Sequence, residues 1–297
     1  MNKKNQDKVH DIIACNSRGL SQRNKLFTVG ELEHALLRRW PRETAESWDK
    51  TGLIVGCKTD LVSGLAIALD PTISAVQAAK QAGANVLLTH HPVFLKAPET
   101  FQPAQTGTIS DGSVVWEAIR QNVALMNFHT ALDVSRDAQI ILPSMLGLKF
   151  KSILQPLRQA KNLGYGQVCN IAETEEALTL EQLSARCVSV FSRVPRVWGS
   201  FSRPIKTVVT ATGSAGNLVE DCLSAGVDCL ICGEVKYHSA LDAQQAGLCI
   251  IDLGHDTSEL PLCSALLKGA LAVGVPDQKV VVFEQNYNWQ TPEAYRL

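Results

Sequence analysis

Hydrophobic and polar positions along the chain predict helices and strands in alternation. A helix begins at Thr28, where Thr28 and Glu31 have capping-box spacing, and its apolar positions continue until Pro41. The run GLAIALD predicts a short buried strand, a helix follows from Pro71 to Ala82, and NVLLT predicts the next strand. Strands that alternate with helices in this way are typical of an α/β fold.

The same order of elements returns about 140 residues later in the chain. TVVTAT and VDCLIC predict strands, and GSAGNLVEDCLSAG between them predicts a glycine turn and a helix that ends at Gly226. The strand in VALMNFHTALD is followed by His129 and, four residues on, Asp133, while LCIIDLGHDTSE has His255 and Glu259 in the same places. We interpret this repetition as an internal duplication of one α/β unit.

The duplication predicts the division of the 297 residues. We expect a polar N-terminal extension over residues 1–26 and a first α/β unit over 27–135. A second unit covers 136–297, and its C-terminal part is predicted to pack back on the first unit.

Histidines lie at the predicted carboxyl ends of the strands, where open α/β sheets form their sites. His90 and His91 follow NVLLT directly, and both can face one site only where the strand ends, which Pro92 favours. A single histidine in such a place is usually structural or solvated. Several imidazoles with two carboxylates exceed the three protein ligands of a catalytic zinc and suit two divalent ions. The nitrogen and oxygen donors favour Zn, Fe, Mn or Co.

Composition and charge narrow the class of protein. Lys and Arg total 28 against 29 Asp and Glu, so the net charge of −1 gives no reason to expect nucleic-acid binding. No apolar run approaches the roughly 18 residues of a membrane span. Nine irregularly spaced cysteines do not form a secreted disulfide framework, so we expect a cytoplasmic protein. Cys229 and Cys232 lie in an apolar run that predicts core packing.

Six motifs resemble those of one family. They are WDKTGLIVG, THHPVF, HTALD, ATGSAG, GEVKYH and GHDTSE, and the similarity runs from about Phe27 to near the C-terminus. The chain resembles the short form of the GTP cyclohydrolase I type 2 homologues, the Nif-three-like dinuclear-metal proteins. Many members have GDLKYH where this chain has GEVKYH, and commonly an aromatic residue where it has Asp256.

The resemblance implies two intertwined α/β units with mixed sheets and a metal site in the cleft between them. It implies two divalent ions per chain and a homo-hexamer built as a trimer of dimers. His129 corresponds to a histidine beside the metals rather than to a ligand. The metal ligands that the resemblance implies are His90, His91, Asp133, His255 and Glu259.

The family's name implies hydrolytic opening of the imidazole ring of GTP with release of formate. His129 or His238 would then carry protons, and Lys236 and the amides from Gly213 to Gly216 would receive the phosphates of the nucleotide. Lys236 is otherwise a solvated strand end, and ATGSAG a plain strand-to-helix turn. The alternatives are a two-metal phosphoesterase or amidohydrolase acting on another small molecule, and a non-catalytic metal-binding ring.

Overall fold

The computed structural model of the protein describes residues 27–106, 111–171, 177–283 and 289. The predicted N-terminal extension over residues 1–26 lies outside the described residues. Among the described helices, none has the length and apolar composition that crossing a bilayer requires.

The described secondary structure comprises helices and strands in alternation, with three short 3-10 helices at Arg42–Thr44, Gly216–Leu218 and Asp277–Lys279. The α-helices are α1 (Val29–Arg39), α2 (Ile73–Gln81), α3 (Asp111–Gln121), α4 (Thr130–Asp133), α5 (Arg136–Gln139), α6 (Ile141–Met145), α7 (Leu180–Phe191), α8 (Val219–Ser224), α9 (Tyr237–Gln245), α10 (His255–Glu259) and α11 (Leu262–Ala272). The strands are β1 (Gly52–Val55), β2 (Leu65–Ala68), β3 (Val86–Thr89), β4 (Ala124–Asn127), β5 (Lys149–Pro156), β6 (Gly164–Asn170), β7 (Leu178–Thr179), β8 (Arg196–Trp198), β9 (Pro204–Ile205), β10 (Thr207–Thr210), β11 (Cys229–Cys232), β12 (Cys249–Asp252) and β13 (Val280–Val282).

Two large mixed sheets form the framework of the fold. The first has the strand order β1-β4-β3-β2-β13, in which only β1 is antiparallel to its neighbour. The second has the order β5-β6-β10-β11-β12-β8, with β10, β11 and β12 parallel. Strands β7 and β9 pair separately. The predicted α/β class with mixed sheets is therefore confirmed.

Each large sheet contains three parallel strands in chain order, β2-β3-β4 in the first and β10-β11-β12 in the second. Strand β13, from the end of the chain, pairs with β2 in the first sheet, with Val280 opposite Leu65. The boundary predicted between residues 135 and 136 stays a prediction, and the short helices α4 to α6 lie across it.

The parallel strands are buried on both faces, as their continuous apolar runs require. Leu65 and Ile67 of β2 face one core cluster, whereas Ala66 and Ala68 face the other, because successive side chains point to opposite sides. Cys229 and Cys232 likewise lie in different clusters of the second sheet, and both are buried free thiols.

Side-chain caps set the beginnings of α1 and α2. Thr28 and Glu31 form the predicted capping box, with the Glu31 amide donating to Thr28 Oγ1 at 3.1 Å and the Thr28 amide donating to Glu31 Oε2 at 2.9 Å. Helix α2 begins two residues later than predicted from Pro71, because the side chain of Thr72 caps it by accepting from the Ala75 amide.

The last described α-helix, α11, packs against α1 through the indole of Trp40. Trp40 is fully buried, its Nε1 donates to Asp137 Oδ2 at 2.9 Å, and its ring centroid lies 5.1 Å from that of Phe128. Gly269 faces this indole so closely that a Cβ atom built there would overlap the ring. The glycine is thus required by packing, despite its cost within a helix.

We predict that Gly269→Ala lowers the free energy of unfolding by about 1–3 kcal/mol, because the added methyl must displace a buried indole. Helix propensity alone would favour the substitution by about 1 kcal/mol. Urea unfolding measures the difference. The matched control is Gly216→Ala, whose Cβ would meet no described atom within 4 Å. Equal stability of the Gly269 variant and wild type would contradict the packing account.

Candidate metal centre

Strand ends in both sheets deliver the predicted site residues to one place. His90 and His91 follow β3, and His129 follows the neighbouring parallel strand β4. In the second sheet β12 ends at Asp252, and His255 begins α10 three residues later. Each histidine therefore lies beyond a carboxyl end of a strand, where the sequence predicts a site.

The five predicted metal ligands lie together around the carboxylate of Glu259. Its Oε2 is 2.9 Å from His91 Nε2 and 3.0 Å from His255 Nε2. Its Oε1 is 3.7 Å from His90 Nε2, and that nitrogen lies 3.6 Å from Asp133 Oδ1. The Glu259 carboxylate thus faces imidazoles from both sheets, with Oε1 towards His90 and Oε2 towards His91 and His255.

Among the described residues, these side chains form three groups that could hold a metal ion, each with ligand atoms within 4.8 Å of one another. Two of the groups share Glu259, and His129 belongs to the third. The resemblance to the family places His129 beside the metals, and here it lies within reach of His90 and His91. The groups are His90 with Asp133 and Glu259, His91 with His255 and Glu259, and His90 with His91 and His129.

Each of the four imidazoles is held by an oxygen atom at Nδ1, so that Nε2 is the nitrogen left for a ligand. Histidines that bind metals in proteins are oriented in this way. The four oxygen atoms are the Phe128 carbonyl for His90 (3.1 Å), Asp70 Oδ1 for His91 (2.7 Å), Asp49 Oδ1 for His129 (3.2 Å) and Glu234 Oε1 for His255 (3.0 Å).

Two buried polar atoms of the cluster lack a hydrogen bond of proper geometry with any described residue. They are His90 Nε2, on a side chain with no exposed surface, and Glu259 Oε2, on a side chain that is 4% exposed. Buried polar atoms are rarely left in this state. Glu259 Oε2 lies close to two imidazoles, but these contacts do not meet its need for a partner. A cation between the carboxylate and the imidazoles would meet that need. The residues present therefore fit a metal.

The charges of the cluster are coupled. Burial opposes protonation of His91, but the neighbouring carboxylates of Asp70 and Glu259 outweigh it and raise the pKa of His91 to about 10. The Glu259 carboxylate, 3.0 Å from His255 Nε2, raises the pKa of His255 to about 9, against the effect of burial. Burial raises the pKa of Asp133, whereas the histidines outweigh burial and hold the pKa of Glu259 well below its usual range. Protons on His91 and His255 thus balance these carboxylates, and a bound metal would displace those protons.

Asp49 is a site residue to which the sequence analysis assigned no role, although it lies in the WDKTGLIVG motif. Its side chain is fully buried; Oδ1 contacts His129 Nδ1 at 3.2 Å, and Oδ2 accepts from the Thr130 amide at 3.0 Å and hydroxyl at 2.6 Å. Burial alone would raise the pKa of Asp49, but the bonds from His129 and Thr130 outweigh it and lower the pKa. Asp49 is therefore an ionised group that orients His129.

Gly213 of the ATGSAG turn lies against Glu259. Its φ of +61° suits glycine, and a Cβ atom there would overlap Glu259 Oε1. The Gly213 amide donates to Ser258 Oγ at 2.9 Å, so this amide is already used within the protein. Gly216 begins a short 3-10 helix, and a Cβ atom there would meet no described atom within 4 Å. The structure therefore gives Gly213 a packing role beside the centre, and the phosphate role stays a prediction.

Lys236 and His238 lie apart from the centre. Lys236 precedes α9 and His238 is in its first turn, and both are exposed. The ring of His238 contacts that of Tyr237, with centroids 5.3 Å apart. Neither side chain belongs to a described metal-binding group or lines the cavity at the cluster. Within one chain, the structure does not bring them to the other predicted site residues.

Two cavities flank the cluster, and His255 lines both. One of them, which we call the upper cavity, has a volume of about 540 Å³ and is lined by residues that include Trp48, His129, Tyr165 and Asn217. The other, the lower cavity, has a volume of about 600 Å³ and is lined by residues that include Asp70, His91, Arg193, Arg196, Asp256 and Trp289. Both volumes are in the usual range for small-molecule sites.

Fold and cluster together define an α/β protein with mixed sheets and a histidine and carboxylate site that could hold metal. The chain matches the family described as Duf34/NIF3 (NGG1p interacting factor 3) over residues 27–288, and it belongs to that family. The family resemblance predicted from the motifs is thus confirmed.

Relatives with sequence similarity span most of the chain. It is 30% identical over 247 residues to the GTP cyclohydrolase 1 type 2 homolog of Streptomyces coelicolor, which covers 79% of this chain and 82% of that protein. The fold is similar to that of a hypothetical protein of Staphylococcus aureus, with a TM-score of 0.80, 24% identity and coverage of 90% and 100%. A Bacillus cereus protein related to NIF3 gives a TM-score of 0.78 at 18% identity, with coverage of 88% and 98%.

We predict that Asp49→Ala lowers the free energy of unfolding by about 1–3 kcal/mol, because it leaves the Thr130 amide and the His129 ring without their buried acceptor. Asp49→Asn keeps one carbonyl oxygen and should lose less. Chemical unfolding of the purified variants measures both. Glu43→Ala, at an exposed position of the preceding 3-10 helix, is the control and should change stability by less than about 0.5 kcal/mol. An Asp49→Ala variant as stable as the control would remove Asp49 from this role.

Proposed function

We propose that the protein is a metal-dependent hydrolase and that two divalent ions per chain would be held by His90, His91, Asp133, His255 and Glu259. The observation that carries this proposal is the position of the Glu259 carboxylate. Its Oε1 faces His90, which Asp133 also approaches, and its Oε2 faces His91 and His255. Glu259 therefore belongs to two groups of ligands and would serve both ions of a two-metal site. Zn, Fe, Mn or Co suits these nitrogen and oxygen donors.

When bound, two such ions supply an activated water molecule near neutral pH and polarise the bond to be cleaved. The protein itself supplies a group for proton transfer. His129 lies in the wall of the upper cavity, and Asp49 holds its Nδ1. Nε2 is then the ring nitrogen that gives or takes a proton at a substrate in this cavity. His238 is exposed on α9, so His129 is the better placed of the two predicted groups.

The substrate proposal follows from the relatives. The Streptomyces coelicolor protein is named a GTP cyclohydrolase 1 type 2 homolog. We propose the corresponding reaction here, hydrolytic opening of the imidazole ring of GTP with release of formate. Inorganic phosphate or ammonia from another small molecule would instead identify a phosphoesterase or an amidohydrolase. Bound metal without turnover of any substrate would indicate a binding assembly.

We predict that the loss of metal depends on which ligand is removed. Glu259→Ala should lose both ions, because it belongs to both groups, whereas His91→Ala should keep the ion at His90 and Asp133. Elemental analysis of protein purified without chelator measures the content. His238→Ala is the matched control and should keep two ions per chain. Two ions retained in Glu259→Ala, or none bound by the wild type, would contradict the proposal that Glu259 is a ligand common to both ions.

We further predict that His129→Ala keeps both ions and lowers the rate of formate release from GTP by about 100- to 10,000-fold, the usual contribution of a positioned proton-transfer group. Formate release and metal content are measured on the same preparation. His238→Ala, tested in parallel, should retain the wild-type rate. If His129→Ala loses an ion, His129 is a ligand, and if it keeps both ions and full activity, it has no part in proton transfer.

A further inference from the structure

We propose that the upper cavity binds the planar heterocyclic ring of the substrate, held by Trp48 and Glu46. This inference rests on the proposed function, because it takes the upper cavity as the substrate side of the metal centre. It concerns the recognition of one part of the substrate, which the family resemblance leaves open.

Trp48 offers an aromatic surface at the right place. Trp48 is 52% exposed in the wall of the cavity, whereas Trp40 is completely buried in the core. The indole and the ring of His129 are in an edge-to-face arrangement, with centroids 5.8 Å apart and planes at 67°. An exposed indole beside a reactive centre is a surface on which a planar ring stacks.

Glu46 offers a hydrogen-bond acceptor in the same wall. The Glu46 amide donates to Thr130 Oγ1 at 3.0 Å, and that hydroxyl donates to Asp49 Oδ2, so the segment from Glu46 to Asp49 is fixed beside His129. Burial and the neighbouring carboxylates of Asp133 and Glu46 raise the pKa of the Tyr165 hydroxyl in the same wall. A carboxylate has lone pairs for several donors, and Glu46 is exposed, so it can accept from a ligand in the cavity. Adjacent N–H groups on the edge of a ring, as in guanine, match such an acceptor.

The side chains that line the upper cavity differ in charge from those that line the lower cavity. Among the described residues that line the upper cavity there is no lysine or arginine, and Glu46 adds negative charge to its wall. Arginines line the lower cavity instead, where Arg193 Nη1 lies 2.9 Å from Asp256 Oδ1 and Arg196 Nη2 lies 2.7 Å from Asp252 Oδ2. Trp48 and Glu46 therefore give the upper cavity contacts that depend on the ring of the substrate.

Calorimetric titration of the metal-loaded protein tests this inference with two probes, guanosine and inosine. Guanosine should bind, and inosine should bind at least tenfold more weakly, because it lacks the amino group that would donate a hydrogen bond to Glu46. Trp48→Ala should weaken both nucleosides about tenfold, and Trp48→Phe should retain most of the affinity because it keeps an aromatic face. Glu46→Gln should reduce the affinity for guanosine to that for inosine.

Two controls lie on exposed positions away from the cavity, Trp116→Ala on α3 and Glu43→Gln in the 3-10 helix before Glu46, and both should bind guanosine as the wild type does. The inference is overturned if neither nucleoside binds, or if the Trp48 and Glu46 variants bind guanosine unchanged. Formate release from GTP is followed separately. Binding that depends on Trp48 and Glu46 without formate release contradicts the proposed function alone, and formate release unchanged in both variants contradicts this inference alone.

Discussion

The Glu259 carboxylate is the constraint on which the arrangement of the site depends. It is buried, it is ionised, and it lies among imidazoles that come from both sheets. Burial of a charged carboxylate costs free energy unless cationic groups surround it. The two sheets must therefore keep the relative position that brings both His91 and His255 to Glu259. The turn at Gly213 also lies against Glu259, and a side chain at Gly213 would displace the Glu259 carboxylate.

A second layer of oxygen atoms surrounds the histidines of the cluster. Asp49, Asp70 and Glu234 each hold the Nδ1 atom of one histidine, and the Phe128 carbonyl holds the fourth. These contacts fix the rings and add negative charge outside the cluster. Together with the buried unsatisfied atoms of His90 and Glu259, they describe a site built for positive charge at its centre. Protons on His91 and His255 meet that requirement in the metal-free state.

The sequence predicted those parts of the site that depend on local patterns. Histidines after apolar strands, and the spacing of four residues between His255 and Glu259, identify residues at the carboxyl ends of strands without knowledge of the tertiary fold. The outer partners could not be found in this way, because Asp70 lies 21 residues from His91 and Asp49 lies 80 residues from His129. Their roles arise only when loops of separate elements meet. The start of α2 was misplaced for a local reason, since Pro71 suggests a first helical residue but Thr72 provides the cap.

The most direct test of the central claim is an anomalous diffraction experiment on crystals of the protein loaded with one divalent metal. The account predicts two anomalous peaks about 3.5–4 Å apart on the two sides of the Glu259 carboxylate. One should lie beside His90 and Asp133, and the other beside His91 and His255. A single peak, or peaks away from Glu259, would contradict a pair of ions that share Glu259.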